Sequence, residues 1–260
     1  MKAGFFLMPP SEGKAAGGKG LWSAESGRFG SLLGDARLEI AERVQKFVRN
    51  AGSAELAKFF GVSGAHLERA VALAEDGFVG APALSARDRY SGVVFGHLDI
   101  ASMDVGARRW CASHVVVVSG LLGMVCAGDP VPDYRLKMGA RLPEIGGLAQ
   151  WWRPRLFEAA RATMGSAVLV DVLPNEHAAA LDVSEVSRRT LALKFVSTNG
   201  ASAAGHAAKA AKGMLVRALV QQRALDVVEG CTGFEGGGFA FQSHERIVRT
   251  QHHRVNIVAV

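Results

Sequence analysis

The sequence predicts a mixed α/β fold of the α+β type: a single compact domain over residues 1–260, with a central mixed sheet flanked by helices. Three observations predict it. Short, nearly continuous apolar runs at residues 5–8, 115–118 and 167–173 have the length and composition of buried strands. Around them lie segments whose apolar residues recur at helical spacing. The chain has 260 residues, 49% of them hydrophobic, which is enough for one ample core.

Composition also removes several classes. No apolar run reaches the roughly 18 residues of a membrane span, and the N-terminus lacks the basic and long apolar regions of a secretory signal. A soluble, cytoplasmic protein without a membrane partner is expected. Cys111, Cys126 and Cys231 are odd in number and widely spaced, so they read as reduced, mostly buried thiols. His244, His252 and His253 have no acids at ligand spacing, and neither a metal nor a cofactor is assigned. The net charge of +6 is polarised: residues 187–260 hold ten Lys or Arg against four Asp or Glu, and residues 1–186 hold twenty of each. That excess fits a phosphate-bearing partner near the C-terminal part, or a basic face that is merely solvated.

Taken in order, residues 5–8 form a strand stopped by Pro9-Pro10, which empties into a loop carrying Ser11, Glu12, Gly13 and Lys14. Gly13, Gly17, Gly18 and Gly20 let backbone amides approach an anion, and Lys14 and Lys19 add charge. It is not a Walker loop, because Ala15 follows Lys14 and Met8 stands where the earlier glycine belongs. From Asp35, read as an N-cap, Leu38, Ala41, Val44 and Val48 make the apolar face of a helix. Residues 54–60 and 65–75 form a helix pair joined by Gly61-Val62-Ser63-Gly64. The subregion 54–76 looks like a helix-hairpin-helix, whose turn offers amides to a DNA phosphate, or like two simply packed helices. Residues 80–85 read as a loop. Arg89-Tyr90-Ser91-Gly92 then leads into Val93-Val94-Phe95, a place where Arg89 can hold a phosphate and Tyr90 can stack on a base or join the core.

The strand after residue 115 ends at Ser119-Gly120, and Pro130 and Pro132 stiffen a loop that delivers Asp133, Tyr134, Arg135 and Lys137. Residues 149–163 read as a helix burying Trp151, Trp152, Leu156 and Ala159 or Ala160, with Arg153, Arg155 and Arg161 outside. The next strand, broken by Asp171, ends in Pro174-Asn175-Glu176-His177. Beyond apolar residues 191–196 and a small-residue loop at 197–205 comes a basic helix. His206, Lys209, Gly213 and Arg217 share one stripe, with Lys212 beside it. Gly213 costs about 1 kcal/mol relative to alanine in mid-helix, so a close packing partner is expected there. A glycine-rich turn at 232–239 leads to strand-like residues 239–241, 246–250 and 255–260.

Five of these segments resemble, in order, the motifs of the YaaA family, bacterial proteins associated with peroxide stress. They are Pro-Pro-Ser-Glu-Gly-Lys at 9–14, Arg-Tyr-Ser-Gly at 89–92, and Ser-Gly-Leu-Leu-Gly at 119–123 with Pro-Asp-Tyr-Arg-Leu-Lys-Met-Gly at 132–139. The strand end at 174–177 and the helix with His206, Lys209, Lys212-Gly213 and Arg217 complete the set. The closing Thr232-Gly233-Phe234 and Phe239 to Phe241 are also similar to the family's. The resemblance implies a YaaA-type fold and a role in oxidative stress linked to lowered free iron and DNA binding, with the hairpin near residues 54–76. His177 departs from the tyrosine common in the family, and residues 17–29 look like an insertion; both fit a specialised, biosynthetic homologue.

Two functions fit. In the first, a cytosolic peroxide-stress protein grips DNA or another phosphate-rich ligand with low sequence specificity. Lys209, Lys212, Arg217 and residues 61–69 hold phosphates, Arg89 and Arg135 line the groove, and Ser11, Tyr90, Ser119, Tyr134, Asn175 and His206 complete the ligand set. In the second, a closed pocket holds a small anionic or nucleotide-like substrate. A desolvated Lys14 or Lys209 then serves as base or Schiff-base nucleophile, and Glu12 or Glu176 is its acid–base partner. α/β proteins build sites past the ends of buried strands. If the strands are parallel neighbours, Glu12, Lys14, Asn175 and Glu176 converge on one cleft. The oligomeric state stays open.

Overall fold

The first apolar run, Phe5–Met8 (β1), lies at the centre of the molecule and is buried along its length. The computed structural model describes residues 4–222, 226–247 and 251–260; the expected strand at 246–250 therefore falls partly on residues 248–250, outside the described residues. The main sheet continues with Val115–Ser119 (β2), Gly123–Cys126 (β3), Leu169–Asp171 (β4), Arg189–Val196 (β5), Glu235–Gly236 (β6), Phe239–Arg246 (β7) and Gln251–Ala259 (β8). Its order is β6-β7-β8-β5-β4-β1-β2-β3.

The run from β8 through β5, β4 and β1 to β2 is parallel, while β3, β6 and β7 pair antiparallel. The sheet is therefore mixed, as expected. From β1 the chain goes first to β2 on one side and later to β4 and β5 on the other. That reversal leaves a crevice at the C-terminal end of β1, the usual place for a site in such sheets.

Helices cover both faces because β1 is apolar at every position. Phe5 and Leu7 join a core with Gly30–Asn50 (α1), Ser53–Phe60 (α2) and Ala65–Glu75 (α3). Phe6 and Met8 join a second core on the opposite face. Leu98 at the end of Val93–Leu98 (α4) and Cys111 in Val105–His114 (α5) belong to that second core. Leu148–Met164 (α6) packs into the first core and Gly205–Gln221 (α7) into the second. Alternate residues of one strand thus anchor two layers. No helix among the described residues is long and apolar enough to cross a membrane.

Several boundaries move for physical reasons. Helix α1 starts at Gly30, so Asp35 lies inside it and caps nothing. A Cβ at Gly30 would sit 1.8 Å from the Glu25 carbonyl, so glycine lets the preceding turn close against the helix start. The buried stripe runs through Leu33, Arg37, Ile40, Ala41, Val44 and Val48, and Leu38 is exposed. In α6, Trp152 is buried and donates to the Gly120 carbonyl at 2.8 Å. Trp151 is only half-buried and is covered by the Arg155 guanidinium, 3.7 Å from its ring. Residues 82–85, expected as loop, pair as a strand with residues 20–21 and 130–132.

The subregion 54–76 folds as α2 and α3, joined through Gly61 at φ 64° and Gly64 at φ 55°. The Gly61 and Val62 amides donate back to the Ala57 carbonyl, which closes the end of α2. Gly213 in α7 has the close partner its position called for: a Cβ there would lie 2.3 Å from the Val94 carbonyl of α4.

Candidate functional site

Strands β1 and β4 are parallel neighbours, so the segments that leave them, residues 9–14 and 174–177, emerge on the same edge. Apart from Asn175, they line, together with residues 92–95, 135–138 and the side chains of Lys209 and Lys212, a cleft of about 470 Å³. Glu12, Lys14 and Glu176 converge there, with Ser11, Arg135 and His177. Asn175 lines an adjoining cleft of about 590 Å³ that shares Pro174, Lys209 and Lys212 with the first.

Lys14 is the most constrained group in the first cleft. Its backbone bridges to Tyr90, and the next amide, of Ala15, donates to the Arg89 carbonyl at 2.8 Å. The ammonium donates to the Ser11 carbonyl at 2.9 Å and stands 4.2 Å from the centre of the Tyr134 ring and 5.6 Å from that of Tyr90. Cation–π contact favours the charged form. Burial outweighs it, and Lys14 is lowered from 10.5 to about 8, with nearby Asp133 resisting and Arg135 assisting the fall.

Below Lys14 runs a buried hydroxyl chain. Ser119 Oγ accepts from the Leu121 and Leu122 amides at 3.3 and 3.2 Å and meets the Tyr134 hydroxyl at 2.7 Å. Tyr134 meets Tyr90 at 2.9 Å. With its lone pairs occupied by amides, Ser119 donates to Tyr134, which donates in turn to Tyr90. Burial raises Tyr134 to about 12 and Tyr90 well above its ordinary value, so both are neutral phenols. This chain fixes the ring over which Lys14 is held.

The cleft's carboxylates are anchored. Glu12 accepts from Arg135 at 3.0 Å and lies 3.7 Å from Lys137. Its partial burial works to raise its pKa, but Lys137 and Arg135 hold it below the usual carboxylate value. Glu176 accepts from the Gly139 amide. Burial lowers His177 to about 4, so its imidazole is neutral, and among the described residues neither ring nitrogen has a hydrogen-bond partner.

Other expected residues are held elsewhere. Arg89 is fully buried and donates to the carbonyls of Ala15, Val131, Gly17 and Pro82, so it pins the glycine loop and lines neither cleft. Arg217 donates to the Leu98 and Asp99 carbonyls at 3.0 and 2.6 Å and to Ser102 Oγ at 2.7 Å. His206 is exposed at the first turn of α7 and lines neither cleft. The stripe on α7 is thus divided: Lys209 reaches the clefts, Gly213 packs on α4, and Arg217 ties down the segment after α4. Cys111, Cys126 and Cys231 are free and buried, and burial pushes them up to about 11, 12 and 12.

Sequence reasoning missed the apolar wall of Val93, Val94, Phe95, Leu136 and Met138, and it missed Lys194. Lys194 had a signal, as a lone cation in the apolar run of β5. The wall had an indirect one, since Leu136 and Met138 lie inside the 132–139 motif and Val93, Val94 and Phe95 follow the 89–92 motif, but as apolar residues they read as core.

A sequence profile described as peroxide stress protein YaaA matches residues 5–245. The chain is 35% identical over 216 residues to a UPF0246 protein of Streptomyces coelicolor, which covers 82% of both chains. It is 31% identical to a UPF0246 protein of Roseobacter denitrificans, over 78% of this chain and 83% of the relative. A third UPF0246 protein, from Ruegeria pomeroyi, is 30% identical over 78% and 83%.

Proposed function

The chain belongs to the family of the peroxide stress protein YaaA, and on that premise we propose that it binds and acts on a small anionic molecule in the strand-end cleft, with Lys14 as the reactive group. One observation carries this reading: Lys14 is a partly desolvated amine lowered to about 8, held over Tyr134 inside the cleft. An amine near that value has a useful free-base fraction at neutral pH and can act as a base or attack a carbonyl. Lys209 and Lys212 supply charge for an anion, and Val93, Val94, Phe95, Leu136 and Met138 offer an apolar surface to the rest of the ligand. Such a role belongs in the cytoplasm.

The test is a thermal-shift screen of sugar phosphates, nucleotides and keto acids, followed by borohydride trapping of hits that carry a carbonyl. Stabilisation of the wild type that is absent in Lys14→Met supports the reading, and a reduced adduct mapped to Lys14 by mass spectrometry supports the nucleophilic form. An equal response of both proteins removes Lys14 from the function.

DNA is a second reading, favoured by the way Lys209 and Lys212 line both clefts and extend the cations toward Lys194 and Arg254. Near the α2–α3 turn, Arg135 and Arg69 already pair with Glu12 and Asp133, so their use on phosphates requires those pairs to open. Duplex affinity should then fall steeply with salt; binding indifferent to salt excludes this reading.

A further inference from the structure

The second cleft, about 590 Å³, lies over the C-terminal half of β5, the middle of β8 and the small-residue segment before α7. It adds Lys194, Arg254, Asn175 and Asn256 to the shared Lys209 and Lys212. The charges here are arranged differently from those on Arg135 or Arg69. Among the described residues, Lys194, Lys209 and Lys212 have no carboxylate within ion-pair distance, whereas Arg254 lies 3.8 Å from Glu245. The compensation within reach is weak. Lys212 Nζ stands 5.5 Å from the Phe195 ring, and Asp171, whose carboxyl accepts from the Leu173 amide, attracts Lys194 and Lys212 without touching either. Glu12, already paired with Arg135 at 3.0 Å, attracts Lys209 only at a distance.

Three ammonium groups gathered in one concave site repel each other, and among the described residues no carboxylate touches them. Burial, and then Lys194, lower the pKa of Lys212, which agrees with a cluster short of negative charge. Ala204 and Gly205, which also line the cleft, open α7 without a side-chain cap, and the first-turn amides of a helix add to the preference for an anion. A single carboxylate would leave most of this charge unanswered. A compact dianion with several acceptor oxygens answers it, and lysine is a common phosphate binder as a point charge.

We propose that the second cleft seats a phosphoryl group, so that the ligand of the strand-end cleft is a phosphorylated small molecule whose charged end lies among Lys194, Lys209 and Lys212. The other end of that molecule extends toward Lys14. The phosphoryl seat stands on its own geometry, and only the placement of the other end rests on the function proposed above.

Lys194 lines only the second cleft and Lys14 only the first, so two variants separate the sites. Inorganic phosphate is titrated calorimetrically into the full chain at low ionic strength. The wild type should bind saturably, Lys194→Met about tenfold more weakly, and Lys14→Met within about twofold of the wild type. Lys194→Arg, which keeps the charge, should recover most of the affinity and so control for folding. Sulfate should compete and acetate should not. Absence of phosphate binding in the wild type overturns the proposal. Loss of binding in Lys14→Met with retention in Lys194→Met also overturns it, while leaving the strand-end cleft as an anion site.

Discussion

Arg37 and Arg89 are fully buried, whereas Lys209 is exposed and Lys14 and Lys212 are only partly buried, yet the arginines are the better satisfied cations. Arg37 donates to the carbonyls of Leu122, Ala24, Ser26 and Met124 at 2.7–2.9 Å, and Arg89 likewise spends its donors on four carbonyls. Lys209 and Lys212, on the C-terminal side of the clefts, have no carboxylate in contact among the described residues. The difference is one of chemistry as well as place. A planar guanidinium with five donors can be satisfied by backbone alone, while an ammonium without a counter-charge leaves its field for a ligand. Deep burial of a cation here marks architecture, and incomplete pairing marks the candidate site.

The sharpest way to break this contrast is Arg37→Met. Four carbonyls of the core lose a donor, and a loss of about 3–5 kcal/mol is expected in urea denaturation. A loss below about 1 kcal/mol would show that Arg37 is dispensable to the architecture. Gly213→Ala tests whether the helix that carries Lys209 and Lys212 is held in place by its crossing with α4. Helix propensity alone predicts a gain of about 1 kcal/mol. Because the new Cβ would meet the Val94 carbonyl at 2.3 Å, a net destabilisation of about 2 kcal/mol is expected instead, with weaker anion binding as the helix shifts.

Lys14→Met sharpens the other side of the comparison. The folded-state pKa of about 8 lies below the ordinary 10.5, so between these values the unfolded chain binds more protons than the folded one. Stability therefore rises with pH across that window, and the cost of burying the ammonium is fully present below about pH 8. Replacement should stabilise the protein by about 1–2 kcal/mol at pH 7, allowing for the lost contact with Tyr134, and the gain should disappear by about pH 10.5. A flat difference between pH 7 and 10.5 would show that Lys14 carries no such strain. The smallest expected effect on stability is that of Lys209→Met, within about 0.5 kcal/mol. Its effect should fall on ligand affinity, and a change confined to stability would place Lys209 with the arginines.

Much of the fold was legible because its signals are local. Four apolar residues stopped by two prolines read as a buried strand, the helices read at 54–60, 65–75 and 149–163 fall within a residue of α2, α3 and α6, and the stripe of His206, Lys209, Gly213 and Arg217 lies on α7. Where the reading slipped, contacts outside the local pattern decided: Gly30 lets the Glu25 carbonyl close on the start of α1, and Trp152, not Trp151, reaches in to bond the Gly120 carbonyl. The polarity of charge was legible too, since the excess over residues 187–260 includes Lys194, Lys209 and Lys212, which line the second cleft.

By itself the sequence determined the central buried strands, the helices at 54–60, 65–75 and 149–163, the motifs at the strand ends and the family they resemble, all of which depend on residue type and spacing. Only the tertiary structure decided which of those polar residues share a site. The parallel pairing of β1 with β4 brings Glu12, Lys14 and Glu176 to one edge. The same packing draws Arg89 and Arg217 away onto backbone carbonyls. A cation's availability depends on the partners the fold puts within hydrogen-bond reach, and for Arg89 and Arg217 most of those partners lie tens of residues away in the chain.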